Sequence, residues 1–97
     1  MIGIDESAKA ILDHYGQQKQ EVQAVQELSE LILLLAARED QRKSDYKKRI
    51  TEEIADSLIM IEQIRIANGI TDNDVCDVVI DKLDRQFGRI EKEGEEE

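Results

Sequence analysis

Two acidic steps in this chain could do chemistry together: Glu27-Leu28-Ser29-Glu30 and Glu53-Ile54-Ala55-Asp56. Each lies in an apolar run with helical spacing, and residues three apart share a helix face. Each step therefore aims two carboxylates the same way. Between them runs the polar stretch Glu39-Asp40-Gln41-Arg42-Lys43-Ser44-Asp45, suited to a reversal of the chain. Counted from that reversal, Glu30 and Glu53 match in height to roughly 1.5 Å, and so do Glu27 and Asp56. An antiparallel hairpin brings the four acids level, roughly 12–18 Å from the turn. Carboxylates cannot crowd an apolar seam unless a positive charge sits among them. A hard divalent cation fits such oxygen ligands, magnesium first and manganese as the alternative.

The helical wheel supports the pairing. With Glu53 at zero, Tyr46, Ile50, Ser57, Met60 and Ile64 fall within about 60° of it, so Glu53 sits mid-stripe. Leu31 and Leu34 flank Glu27 within about 40°, and Glu30 and Asp56 are each offset by about 60°. A competing reading puts each pair at the edge of its stripe, solvated and matched by surface Lys or Arg. For one ExxE in a Glu-rich helix that bland reading wins. Two matched pairs at matched height favour a shared site.

The elements that must hold these residues are all helical, giving an all-α, four-helix architecture with an antiparallel central pair. Asp5 or Ser7 caps a first helix to Tyr15, after a short lead of residues 1 to 4, and Gly16 breaks it. A second helix runs from Gln17 to Arg38 or Glu39. A third starts after Ser44 or Asp45 and reaches Asn68, with Gly69 as its stop. Thr71 or Asp72 caps a fourth, which continues through Ile90. Residues 1–90 read as one domain, and the acidic tail 91–97 is expected to fray. The end of the second helix, Leu31 to Ala37, is apolar nearly all round, which predicts a homo-oligomer, dimer or tetramer.

The fourth helix sorts its charges by face. Val75, Cys76, Val79, Leu83, Phe87 and Ile90 form an apolar arc. Lys82, Arg85 and Arg89 run along one edge, a candidate phosphate-contacting stripe, and Asp74, Asp77, Asp81 and Asp84 lie opposite. Ordinary surface pairing accounts for the stripe equally well. The cations near the turn, Arg38, Arg42, Lys43, Lys47, Lys48 and Arg49, are interspersed with acids and read as local charge pairs. His14 has no His or Cys partner at ligand spacing, so no zinc site follows. Cys76 reads as a core residue.

Composition narrows the classes. The chain has 97 residues, net charge −10, no Pro and a single Cys. That acidity argues against nucleic-acid polymers and anionic membranes as partners. The lone Cys fits a reducing cytoplasm. The longest purely apolar run, Leu31 to Ala37, is too short to span a bilayer, and no signal peptide is read.

Gln26-Glu27-Leu28-Ser29-Glu30-Leu31 followed by Glu52-Glu53-Ile54-Ala55-Asp56 resembles the paired acidic motifs, EExxE and ExxD, of the MazG-like nucleoside triphosphate pyrophosphohydrolases. Tyr15-Gly16 and Gln20 upstream, and Lys82-Leu83-Asp84-Arg85-Gln86-Phe87 downstream, are similar to further stretches of that family. The resemblance covers Tyr15 to Ile90. It implies a four-helix bundle completed by oligomerisation, and magnesium-dependent hydrolysis of a (deoxy)nucleoside triphosphate to monophosphate and pyrophosphate. It also implies Glu27, Glu30, Glu53 and Asp56 as metal ligands and Lys82 and Arg85 as phosphate contacts. Two positions depart from the pattern: Gln26 replaces the first acid, and Ile80 replaces an Asn two residues before the Lys.

The chemistry is coherent without the resemblance. A triphosphate is repelled by carboxylates until a cation bridges them, and phosphoryl transfer needs charge neutralisation and in-line placement above all. Either Glu27 or Glu53 could orient or deprotonate the attacking water. The alternatives are a helical interaction module without catalysis, and a degenerate family member that binds nucleotides without turnover.

Overall fold

Helix-forming residues and well-placed glycines set the element order. The computed structural model describes residues 3–96; Met1, Ile2 and Glu97 lie outside the described residues. Four α-helices follow in order: α1 (Asp5–Tyr15), α2 (Gln17–Ala36), α3 (Tyr46–Ala67) and α4 (Asp72–Glu96). Among the described residues there is no strand. No helix is long and apolar enough to cross a membrane.

Gly16 and Gly69 stand at φ of +89° and +67° and punctuate the helices. Side chains with a Cβ rarely adopt these values, which is why the breaks fall there. The start of α4 is a reciprocal cap: the Asp74 N–H donates to Thr71 Oγ1 at 3.1 Å, and the Thr71 N–H donates to Asp74 Oδ2 at 2.9 Å. That backbone donor, together with the Thr71 hydroxyl, holds the Asp74 carboxyl below its ordinary pKa.

Two helix ends and two caps differ from expectation; at α1 the N-cap is Ile4, in place of Asp5 or Ser7, and no side chain caps it. α2 ends at Ala36, and a short 3-10 helix (Arg38–Arg42) takes up the turn. Asp45 occupies the N-cap of α3, but its side chain makes no capping hydrogen bond. α4 does not fray after Ile90; it continues through Glu96. Glu91, Lys92, Glu93 and Glu95 are strong helix formers, and the lone Gly94 costs only about 1 kcal/mol against Ala.

α2 and α3 form the central antiparallel pair. Gln20 Nε2 donates to Gln63 Oε1 at 2.8 Å at one end. Towards the turn, Glu30 meets Glu53. The seam between them buries Ala24, Leu34, Ser57 and Met60, and α1 adds Ala8 and Leu12. Burial of a Leu or Met side chain contributes about 1.5–3 kcal/mol.

α4 stands apart. Among the described residues it packs against none of α1, α2 and α3. Its apolar arc is therefore uncovered, with Leu83 at 51% and Phe87 at 62% exposure. Cys76 is exposed as well, which corrects its reading as a core residue. Its neighbours on the wheel are indeed apolar, but among the described residues no other helix packs along them.

Candidate metal centre

The α2–α3 register decides the site. Glu27, Glu30 and Glu53 each offer a carboxylate oxygen, and these oxygens lie within 4.8 Å of one another. The height count from the turn thus brings three of the four acids together. The fourth, Asp56, is outside this group and exposed, yet near enough for its charge to act on Glu27.

Electrostatics mark the cluster as under-neutralised. Burial pushes the Glu27 carboxyl above its ordinary pKa. The charges of Glu30 and Asp56 push the same way, against a hydrogen bond from Gln23 Nε2 at 2.8 Å. Among the described residues no Lys, Arg or His forms an ion pair with Glu27, Glu30 or Glu53. Glu53 Oε2 is fully buried with no hydrogen-bond partner, and so is the Ser57 hydroxyl one turn along α3. A buried carboxylate oxygen without a donor costs free energy that a bound cation would recover.

Beside the carboxylates is an open cleft of about 590 Å³, lined by Glu30, Leu33, Asp40, Arg49, Glu52 and Glu53 among others. Its cation is already engaged. Arg49 Nη1 lies 3.7 Å from Asp40 Oδ1, and Lys43 Nζ is 2.7 Å from the same oxygen. The hydrogen bond from Lys43 holds the Asp40 carboxyl below its usual range. Local charge pairing at the turn is thus present for these residues. Arg49 nonetheless borders the cleft, a position that the sequence alone does not assign.

Lys82, Arg85 and Arg89 do share one edge of α4, around a shallow pocket of about 200 Å³ with Gln86. They are not beside Glu27, Glu30 and Glu53 of their own chain, because among the described residues α4 meets α3 only at its first turn, through Asp72, and does not pack against α2.

No protein-family model, curated protein or solved structure matches this chain. The site is therefore read from its own geometry.

A second acidic group went unread in the sequence. Asp5, Glu62 and Asp72 also gather oxygens within 4.8 Å. Here Arg65 occupies the centre: its Nη2 is 2.8 Å from Glu62 and 3.3 Å from Asp5, and its Nε is 3.2 Å from Asp72. Its Nη1 donates to the Ile70 carbonyl at 2.8 Å. The hydrogen bonds to Glu62 raise the Arg65 pKa further. The signal available was the Glu62–Arg65 spacing of three on one helix. This group joins α1, α3 and the start of α4.

Proposed function

We propose that this protein is a magnesium-dependent nucleotide pyrophosphohydrolase that converts (d)NTP to (d)NMP and pyrophosphate. One observation carries the reading: three carboxylates converge with no side-chain cation paired to them among the described residues, and one buried oxygen of Glu53 has no hydrogen-bond partner there. The donor set consists of hard oxygen ligands, which suits magnesium or manganese rather than zinc. Glu27, Glu30 and Glu53 would hold the ion, with Asp56, the fourth acid of the motif, adding charge. The order of the acidic motifs, which resembles that of the MazG-like enzymes, supports the same reaction.

When bound, the cation supplies charge neutralisation of the phosphates and an activated water. The chain's own residues do the rest. Glu27, whose carboxyl is already inclined to hold a proton, or Glu53, with its unpartnered oxygen, orients the attacking water and accepts its proton. The cleft beside Glu30 and Glu53 admits the polyphosphate, with Arg49 on its wall. The MazG-like bundle, completed as a dimer or tetramer, and a cytoplasmic location are part of this proposal.

The test is a panel of NTPs and dNTPs incubated with magnesium and scored for pyrophosphate. Release of pyrophosphate and monophosphate that stops on chelation is the expected result. Absence of turnover across the panel overturns it in favour of a non-catalytic helical module.

A further inference from the structure

The uncovered arc of α4 contains a stricter pattern than an amphipathic surface needs. Cys76, Ile80, Leu83, Phe87 and Ile90 follow one another at steps of four, three, four and three. That is the repeat of a coiled-coil seam, which keeps one line of apolar side chains against a partner helix. Ile80, Leu83, Phe87 and Ile90 are each more than half exposed. Beyond the first turn of α4, no helix of the same chain packs along them among the described residues.

The charges beside the seam specify the partner. With Leu83 at zero, Lys82 and Arg89 lie at about −100° and −120°, and Glu91, Asp84 and Asp77 at about +80° to +120°. Among the described residues no ion pair engages any of them. The seam therefore has one cationic and one acidic edge. In a parallel two-fold pair the second copy is turned by half a turn about an axis along the helices, so each acidic edge meets a cationic one. Lys82 then stands two residues from the level of the partner's Asp84, and Arg89 two from that of the partner's Glu91, about 3 Å of height in each case. An antiparallel pair sets acid against acid and cation against cation, which like-charge repulsion penalises. α4 is thus complementary to a copy of itself in one orientation.

We propose that α4 forms a parallel two-stranded coiled coil with α4 of a second copy, through Cys76, Ile80, Leu83, Phe87 and Ile90. The seam runs about 21 Å from Cys76 to Ile90. That length places the contact at the small end of specific interfaces, with a dissociation constant in the micromolar range. Arg85, at about −160° on the same wheel, faces away from the seam. The surface used is distinct from the apolar end of α2 and from the carboxylates of α2 and α3.

Cross-linking of the full chain tests both contact and orientation. Cys76 is the chain's single thiol, and a parallel two-fold seam sets it against the same residue of the second copy. Mild oxidation of the wild type should therefore give a covalent dimer. Ile90→Cys on a Cys76→Ser background should do the same, and Arg85→Cys on that background should not. When differently tagged wild type and the Ile90→Cys chain are mixed, exchanged and oxidised, each should cross-link to its own kind alone. A disulfide joining Cys76 of one chain to the new thiol of the other would mean an antiparallel pair. Cross-linking of Arg85→Cys as fast as the seam positions would mean random collision. Either result, or no cross-link at the seam positions in chains that circular dichroism shows to be helical, overturns the pairing. Sedimentation equilibrium adds a readout without oxidant. Phe87→Asp, at an exposed position, should keep the helicity and raise the dissociation constant of the dimer at least tenfold. A wild type that stays monomeric well above micromolar concentration, or a dimer that Phe87→Asp leaves unchanged, overturns it too. Neither nucleotide nor magnesium enters these measurements, so a failure here leaves the proposed hydrolysis standing, and the reverse holds as well.

Discussion

Among the described residues are two acidic triads of the same size, and they differ in whether a side-chain cation lies among them. Asp5, Glu62 and Asp72 surround the guanidinium of Arg65. Glu27, Glu30 and Glu53 surround no side-chain cation among the described residues. The first triad is a completed electrostatic unit whose ligand is part of the chain. The second has the same spacing of oxygens, and in the proposed function a bound metal supplies its positive charge. Acidic clustering therefore does not mark a binding site by itself; an unmet charge within it does.

The largest expected effect separates the triads by activity. Glu53→Gln should lower magnesium-dependent hydrolysis on the order of 10²-fold or more, since a bound metal contributes several kcal/mol of transition-state stabilisation. Arg65→Met, which bears on the rate only through the aim of α4, should cost less than about tenfold in the folded fraction. Pyrophosphate release measured on folded protein checks both. Equal losses in the two variants would erase the distinction.

Stability should rank them in the opposite order. Arg65→Ala takes the guanidinium away from Glu62, whose side chain is 2% exposed, and losing one member of a buried ion pair costs on the order of 3 kcal/mol. Glu27→Gln should leave the metal-free protein no less stable, because it removes mutual repulsion. Denaturant melts in the presence of a chelator read both values.

A smaller effect converts one triad into the likeness of the other. Gln23 already donates to Glu27 from one turn away, so Gln23→Arg should place a guanidinium against that carboxylate. Magnesium at ten times its dissociation constant stabilises the wild type by about 1.4 kcal/mol. Most of that gain should vanish in Gln23→Arg, as seen by thermal melting with and without magnesium.

The smallest effect is in pH. The Glu27 carboxyl is raised in the folded state, so the native protein binds its proton more readily than the unfolded chain does. Its destabilising contribution is thus fully present above the raised value and is relieved as pH falls through it towards the ordinary Glu range. Asp40 is lowered and behaves oppositely: its contribution is lost as pH drops below the ordinary Asp range. Comparing metal-free melts of wild type and Glu27→Gln across weakly acidic pH isolates the first slope. The slope should flatten in the variant.

The Glu27, Glu30 and Glu53 group could be read from the chain because it depends on local quantities. Helical rise, a polar turn and the glycines at 16 and 69 fix the height of Glu30 against Glu53 before any tertiary contact is known. Arg65 could not be read this way, since its partners come from α1, from its own helix and from the start of α4. Such a group exists only once those segments have converged. The disposition of α4 was hidden for a different reason. An amphipathic arc says that a helix has a face to cover, and Cys76 was assigned to the interior on that ground, but the pattern does not say which surface covers it. The helical residues beyond Ile90 show the weight of local propensity over a high density of charge.

The Arg65 cluster also acts as a pivot. α4 is held at Asp72, with the Ile70 carbonyl bound just before it, and beyond its first turn no other helix packs against it among the described residues. Arg89 lies about 26 Å along that rod from Asp72. A tilt of 10° at the pivot displaces the far end by about 4–5 Å over that length, more than the reach of a hydrogen bond. The aim of the cationic stripe is thus set at the base of α4, by a guanidinium remote from anything the stripe touches.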